Sequence, residues 1–157
     1  MRTVFRFAAA ALAVIAIASC TPEAPTAPAQ DITTVTFASS LGVTLSAMTK
    51  TASGLYYQDT PAGTGVAAVA GNHVTVNYTG YLTGGSSFDT SIGKAPFGFT
   101  LGQGQVIAGW DEGVAGMKVG GTRKLVIPAV LGYGANTVPS IPANSILVFN
   151  VTLISIP

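Results

Sequence analysis

The segment that most constrains this chain is residues 96–117, PFGFTLGQGQVIAGWDEGVAGM. Its second half predicts a short helix with one apolar face, because large apolar side chains recur at helical spacing at Ile107, Trp110, Val114 and Met117. Phe97 and Phe99 precede the helix at strand spacing, so both point to the same side of a sheet. Such a stripe is either ordinary core or the floor of a small apolar pocket. The glycines at Gly102, Gly104 and Gly109 favour the pocket, because they let backbone approach a neighbouring group closely.

Composition limits the chain to a small set of protein classes. Its 157 residues suit one ordinary domain with short extensions. The 19 glycines and nine prolines indicate many turns, and therefore a sheet rather than a helical bundle. The net charge of +1 leaves no basic patch of the size that nucleic acid requires. A single cysteine and a single histidine exclude a conventional structural zinc site and an internal disulfide. We expect neither a bound metal nor a cofactor.

Residues 1–19 have the pattern of a targeting segment rather than of a folded element. Two arginines give a positive start, and the apolar run that follows is short for a bilayer span. The run closes with Ile-Ala-Ser-Cys, which resembles a bacterial lipobox. Lipoproteins with this motif are cut before the cysteine, which then carries the lipid, so the resemblance predicts stable lipid anchoring through Cys20. The alternative is an ordinary secretory signal that is cut near Ser19.

Residues 20–51 are predicted to form a tether between that cysteine and the folded domain. Residues 21–31 are rich in Pro and Ala and lack an apolar period, as in a semi-extended linker. Residues 32–52 are rich in Thr and Ser, and the stretch from Leu41 to Met48 suits a short strand or a helical turn. A fully flexible tether would place the domain on the order of 30 Å from the membrane. The alternative is that residues 32–52 dock on the domain and shorten the tether.

The folded domain is predicted over residues 52–157, with an antiparallel α+β fold. Residues 73–82 alternate between apolar and polar side chains, which is typical of a half-buried antiparallel strand. Further strands are predicted, in chain order, at residues 54–58, 122–127 and 145–156. Residues 128–144 form a long loop rich in Gly and Pro. With the strand that carries Phe97, this gives about five strands and one short helix against a face of the sheet.

Few side chains in this domain suit covalent or acid–base catalysis. His73 opens a strand beside a turn, where solvent exposure is the simpler interpretation, and no serine lies in a nucleophile pattern. Asp111 and Glu112 are neighbours in the predicted helix, so their carboxylates diverge and face water. Asp89 is either a turn-capping residue or the polar member of a pocket. A ring-lined pocket for an apolar ligand is indicated by the aromatic residues Tyr78, Phe88, Phe97, Phe99, Trp110, Tyr133 and Phe149.

The order of motifs in residues 52–157 resembles that of the FKBP-type peptidyl-prolyl isomerases, the macrolide-binding immunophilins. The motifs are VNYTGYL (76–82), SSFDTS (86–91), PFGFTLG (96–102), QVIAGWDEGVAGMKVGG (105–121), LGYGA (131–135) and IPANSILVFNVTLISI (141–156). The resemblance implies a curled antiparallel sheet of five to six strands wrapped around one short helix. This agrees with the strands and the helix that the residue patterns predict independently.

The resemblance also implies a pocket, position by position. Trp110 corresponds to its floor. Asp89 corresponds to a polar member that positions the substrate electrostatically, and Tyr133 to one that donates a hydrogen bond to a substrate carbonyl. The backbone N–H of Ile107 corresponds to a second donor to substrate. The walls, the mouth and the adjoining loop correspond to Tyr78, Phe88, Phe97, Val106, Phe149 and Ile141.

Two positions depart from the pattern of the family. Gln105 stands where many members have glutamate, and only its backbone carbonyl is expected to matter. The loop from Asn136 to Ser140 is one residue short, and Val138 replaces a histidine of well-studied eukaryotic members. Because this loop shapes the rim, the departure bears on sequence preference and macrolide affinity more than on activity.

The activity that the resemblance implies is peptidyl-prolyl cis–trans isomerisation of X–Pro bonds in envelope or secreted proteins, with macrolides as inhibitors. Two alternatives stay open: a non-catalytic module that binds proline-containing segments on a membrane anchor, and a structural envelope lipoprotein. With lipid on Cys20, the chain is expected at the bacterial cell envelope, facing the periplasm. Thr21, rather than an aspartate, after the cysteine favours the outer membrane. A monomer is expected.

Overall fold

An antiparallel sheet curls around a short helix in the computed structural model, which describes residues 28–157. The predicted signal segment and Cys20 lie outside the described residues. The strands are β1 (Thr49–Lys50), β2 (Tyr56–Asp59), β3 (His73–Leu82), β4 (Ser87–Thr90), β5 (Phe97–Thr100), β6 (Thr122–Ile127) and β7 (Leu147–Ser155). The helix is α1 (Ala108–Val114), and 3₁₀ turns occupy Ser39–Leu41, Leu45–Ala47 and Ala129–Leu131. The predicted antiparallel α+β class is confirmed, with seven strands in the described part instead of five or six.

Strand β3 is the centre of the sheet, whose order is β1-β2-β6-β7-β3-β4. One edge of β3 pairs along its length with β7. The other edge is divided, because its first half pairs with β5, with Val76 opposite Phe97, and its second half pairs with β4, with Gly80 opposite Asp89. Tyr78 lies between these two pairings. The division therefore brings β4 and β5 to the two sides of one tyrosine.

Helix α1 is shorter than the apolar stripe predicts, because it ends at Val114 and leaves Met117 beyond it. Met117 is nevertheless buried in the same core as Trp110. The helix packs close to β6, and two glycines make this possible. A Cβ on Gly109 would lie 2.5 Å from Ile127, and one on Gly113 would lie 2.7 Å from Leu125. The close backbone approach expected from the glycines is thus partly an approach of the helix to the sheet.

The opposite face of the sheet is covered by residues 32–48. Ile32, Leu41 and Met48 are buried there against sheet residues that include Val126 and Val148. The 3₁₀ turns of this segment match the helical turn that the sequence left open. The alternative in which residues 32–52 dock on the domain is therefore the one observed, and the stretch outside the core is shorter than residues 20–51.

Lys124 links this segment to the sheet. Its Nζ donates to the carbonyl oxygens of Leu41 and Gly42, which end the first 3₁₀ turn. Burial lowers the pKa of Lys124, because the charged ammonium loses part of its hydration. Within residues 28–157, none of the helices combines the length and the apolar content that a bilayer crossing requires.

Candidate functional site

A cavity of about 290 Å³ opens on the face of the sheet that carries α1. It is lined by Tyr78, Phe88, Asp89, Phe97, Gln105, Val106, Ile107, Trp110, Tyr133 and Phe149. Nine of these ten residues are sequence-predicted site residues, and Gln105 is the addition. Ile141 is the one predicted residue that does not line the cavity, because it is buried in the core. Residues from β3, β4, β5, β7, α1 and two loops thus meet in one hollow.

Trp110 lies at the bottom of the cavity and is only 4% exposed. The rings of Tyr78 and Phe149 meet the indole edge-on, at centroid distances of 5.0 and 5.3 Å. These T-shaped contacts suit the charge distribution of aromatic rings and hold the indole in place. The indole Nε1 has no hydrogen-bond partner within residues 28–157. The floor of the cavity is therefore a buried, largely apolar indole that carries one unpartnered N–H donor.

Gly80 creates the space for the rings at the mouth. A Cβ at this position would lie 2.6 Å from carbons of both Phe88 and Phe149. These two rings pack edge-on at a centroid distance of 5.5 Å. Any larger residue at position 80 would push one of them out of place, because real Cβ atoms do not approach this closely.

The phenol of Tyr78 donates a hydrogen bond of 2.5 Å to Oδ2 of Asp89. Burial raises the pKa of Tyr78 above its ordinary range, and the hydrogen bond to the Asp89 carboxylate raises it further. Oδ1 of Asp89 accepts the backbone N–H of Thr90 at 2.8 Å and lies 3.8 Å from Nζ of Lys94. Both side chains of that ion pair are about half exposed or more, so it adds little stability. Asp89 is therefore held by its hydrogen bonds rather than by the ion pair.

Ser91 closes the gap beside Tyr78 where β3 changes partners. Its Oγ accepts the backbone N–H of Tyr78 at 2.9 Å and donates to Oδ1 of Asn77 at 3.0 Å. Its own N–H donates to the Tyr78 carbonyl at 3.0 Å. The N–H of Tyr78 is therefore bonded to a side-chain hydroxyl instead of to a backbone carbonyl of a neighbouring strand. The carbonyl of Ser91 accepts the N–H of Lys94 instead. This buried serine fixes the loop that separates Asp89 from Phe97.

Two side chains that sequence reasoning did not place in the site hold the loop before α1. Asp111 accepts the backbone N–H groups of Gly102 and Gly104, at 2.8 and 2.9 Å, rather than facing water as predicted. Oε1 of Gln105 accepts the N–H of Thr100 at 2.8 Å, so its side chain matters as well as its carbonyl. The position of Asp111, one turn after a glycine-rich loop, could have predicted this role. The backbone N–H groups of such a loop need an acceptor, and a nearby carboxylate supplies one.

The same loop presents Val106 and the backbone of Ile107 to the cavity. Ile107 is the N-cap residue of α1, and its N–H has no hydrogen-bond partner within residues 28–157. The hydroxyl of Tyr133 also makes no hydrogen bond in this part of the chain. These two donors, with the unpartnered indole N–H of Trp110, are therefore available to carbonyl groups of a bound peptide.

Arg123 supports α1 from behind. It is nearly buried, and its guanidinium binds both carboxylate oxygens of Asp59, at 2.6 and 2.9 Å. Its Nη1 donates to the carbonyls of Gly113 and Ala115 at the end of the helix, at 3.0 and 3.1 Å. These bonds satisfy carbonyls that a helix end leaves free, so they fix the helix that carries Trp110.

The chemistry available in the cavity is binding and polarisation. Within the described residues, no three His, Cys, Asp or Glu side chains are close enough to hold a metal ion. Apolar rings, unpartnered donors and one fixed carboxylate suit a short peptide segment with an apolar ring or side chain at its centre.

Comparison with known proteins gives the same family on three counts. Residues 65–154 match the family described as FKBP-type peptidyl-prolyl cis-trans isomerase. FK506-binding protein 4 of Neurospora crassa is 50% identical over 107 residues, which are 68% of this chain and 23% of that protein. The corresponding protein of Dictyostelium discoideum is 51% identical over 104 residues, 66% of this chain and 28% of that protein. This chain thus spans roughly a quarter of the length of the curated relatives it matches.

Two solved structures are similar in fold and in sequence. FkpA from Escherichia coli has a TM-score of 0.65 and 45% identity, over 70% of this chain and 51% of that chain. AtFKBP13 has a TM-score of 0.66 and 35% identity, over 70% of this chain and 98% of that chain. The motifs, the fold and the ring-lined cavity agree with these matches. The chain therefore belongs to the FKBP-type peptidyl-prolyl cis-trans isomerase family.

Proposed function

We propose that this chain isomerises X–Pro bonds by binding the prolyl residue against Trp110 in the ring-lined cavity. An X–Pro bond turns slowly because the amide must lose its resonance, which takes tens to hundreds of seconds without a catalyst. The observation that carries the proposal is that aromatic rings around the buried Trp110 share one cavity with the free N–H of Ile107 and the hydroxyl of Tyr133.

The cavity favours the twisted amide over the planar one. A twisted amide has a less polarised carbonyl than a planar amide, so it loses less on leaving water for an aromatic environment. The donors of Ile107 and Tyr133 hold the substrate carbonyls, and the carboxylate of Asp89, fixed by Tyr78, positions the rotating bond. A change from about 100 s to about 10 ms requires about 5–6 kcal/mol of preferential binding to the twisted state. No proton transfer is required.

Isomerisation of a short Ala-Leu-Pro-Phe peptide, followed by NMR exchange, tests this function. The wild-type protein is expected to accelerate exchange, and a macrolide that fills the cavity is expected to suppress the acceleration. Tyr133→Phe removes one donor and should lower kcat/KM about tenfold. Tyr81→Phe is the matched control, because Tyr81 packs on the opposite face of the sheet.

A protein that binds the peptide without accelerating exchange would support the alternative, a non-catalytic module for proline-containing segments. The relatives named FK506-binding proteins support the catalytic proposal and its inhibition by macrolides, and they leave client proteins open. Monomers are proposed for this chain, and sedimentation of the purified protein is the measurement that decides it.

We further propose that Cys20 carries lipid and holds the domain at the bacterial cell envelope, facing the periplasm, with the outer membrane as the favoured site. The support is the lipobox-like sequence before Cys20 and the positive start of residues 1–19. Residues 32–48 are packed on the sheet, so we propose a tether from Cys20 that is shorter than residues 20–51. Cys20→Ala should move the protein from the membrane pellet to the soluble fraction, and continued pelleting would contradict lipid anchoring.

A further inference from the structure

Exposed apolar side chains are concentrated on the two loops that border the cavity. Within residues 28–157, seven large apolar side chains are exposed, and four of them lie on or beside these loops: Ile92 in the loop before β5, Phe97 at the start of β5, and Val130 and Tyr133 in the loop after β6. Phe97 and Tyr133 line the cavity itself. Single exposed apolar residues are normal on a protein surface, but their clustering beside a binding cavity indicates a larger binding surface.

Ile92 and Val130 are the exposed aliphatic residues of these loops. Lys94 donates its N–H to the Ser91 carbonyl, so the loop turns at Ile92, which is 63% exposed. Val130 is 79% exposed, in a 3₁₀ turn three residues before Tyr133. Ile92 likewise follows Asp89 by three residues. Three residues span at most about 11 Å, so the Cα atom of each aliphatic residue lies within that distance of the Cα atom of a residue that lines the cavity.

Charge is nearly absent from this rim. Residues 128–144 contain no charged side chain, and residues 91–97 contain only Lys94. Lys94 lies 3.8 Å from Asp89, and the side chains of both are about half exposed or more. A bound peptide therefore meets mostly apolar surface on both sides of the cavity, with Asp89 and Lys94 as one pair of opposite charges at the mouth.

We propose that Ile92 and Val130 extend the cavity into a client-binding rim that holds large apolar side chains on either side of the X–Pro bond. The inference rests on the proposed function and adds the substrate class, namely unfolded segments rich in apolar residues. The peptide that places its proline in the cavity must also cross the rim, because an extended chain continues from the proline in both directions at about 3.3 Å per residue. Residues two to four positions from the proline then lie about 7–13 Å away, over the rim.

The experiment compares two synthetic peptides with the same central Leu-Pro pair. Outer residues are Leu and Phe in one peptide and Ser in the other. Isomerisation rates and binding, by fluorescence anisotropy, are measured for wild type and for the Ile92→Ser/Val130→Ser double variant. The wild-type protein should prefer the apolar-flanked peptide by about three- to tenfold in KM and in Kd. In the double variant this preference should fall to about one, and added salt should leave the wild-type preference unchanged.

Val66→Ser is the matched control, because Val66 is 72% exposed on a loop that pairs with Val119 and does not line the cavity. It should keep the wild-type preference. The proposed rim would be contradicted if the wild-type protein did not prefer the apolar-flanked peptide, or if the double variant kept that preference. If neither peptide is isomerised but the apolar-flanked one still binds more tightly, the catalytic proposal fails and the rim stands.

Discussion

The phenol of Tyr78 and the carboxylate of Asp89 are joined across the point where β3 changes partners. Tyr78 follows the β5 pairing and Asp89 lies on β4, and the hydrogen bond between them is 2.5 Å long. The bond orients the carboxylate at the mouth while the ring of Tyr78 packs on Trp110. One tyrosine thus contributes to the apolar wall and to the placement of the charge.

Asp89→Asn should lower kcat/KM about tenfold and lower the titration midpoint of one tyrosine. The physical reason is that the negative carboxylate opposes ionisation of the Tyr78 phenol. Burial is the larger cause of the raised pKa, so the midpoint should stay above its ordinary value of about 10. Ultraviolet titration measures this shift, and Tyr78→Phe identifies the signal by removing it. An unchanged midpoint would contradict the pairing.

Alkaline pH should destabilise the protein through Tyr78. The folded state keeps the phenol protonated while the unfolded chain releases the proton near pH 10, so folding binds the proton more tightly. The stability contribution is therefore complete below about pH 10 and is lost as the pH rises towards the raised folded value. Urea unfolding of wild type and Tyr78→Phe on both sides of pH 10 measures it. If the unfolding free energies of the two proteins fell equally with pH above pH 10, the raised pKa of Tyr78 would be contradicted.

Phe97→Ala and Phe99→Ala should separate function from stability on one strand. The rings stack at 5.8 Å, but Phe97 is 40% exposed in the cavity wall and Phe99 is 2% exposed in the core. Phe99→Ala should cost about 3–5 kcal/mol of unfolding free energy. Phe97→Ala should cost less than half of that and lower kcat/KM. Chemical unfolding and peptide exchange, run on the same samples, make the comparison, and equal losses in stability would argue against it.

Arg123→Met should destabilise the chain by about 3–5 kcal/mol, because it leaves Asp59 and two helix carbonyls without their partner. Trp110 fluorescence reports the effect, because it is the only tryptophan and its helix depends on this cap. The double variant Asp59→Asn/Arg123→Met should recover part of the loss, since no carboxylate is then left unpaired. Lys118→Met, at an exposed cation, is the control. If Arg123→Met were as stable as the wild-type protein, Arg123 would not stabilise the end of α1.

Leu41→Ala should lower the unfolding free energy by about 2–3 kcal/mol, although position 41 precedes the matched family region. Leu41 is buried between the N-terminal segment and the second face of the sheet. Peptide isomerisation by the folded variant should stay at the wild-type level, since this face is remote from the cavity lining. Ser40→Ala, at the exposed neighbouring position, is the control. A neutral Leu41→Ala would mean that the segment contributes no stability.

Sequence patterns with local meaning predicted much of this fold. The alternation over β3 and the pair of glycines before β6 predicted both strands with their observed bounds, 73–82 and 122–127. Sequence patterns did not decide whether residues 32–52 dock on the domain. The runs of adjacent apolar residues at Leu125–Ile127 and Ile146–Phe149, all of which are buried, could have indicated it. Consecutive apolar residues on a strand indicate that both faces are covered, whereas strict alternation indicates one.

The sequence by itself determined which residues are apolar on one face, where turns interrupt them, and which motifs follow in order. These properties depend on near neighbours, so the ring-bearing residues of the cavity were predictable from it. Tertiary structure alone decided that Asp111 binds loop amides, that Arg123 joins Asp59 to the helix end, and that Ile141 lies in the core. A polar group bonds to whatever donor or acceptor the folded chain brings within reach, and for Arg123 and Asp59 that partner is 64 residues away.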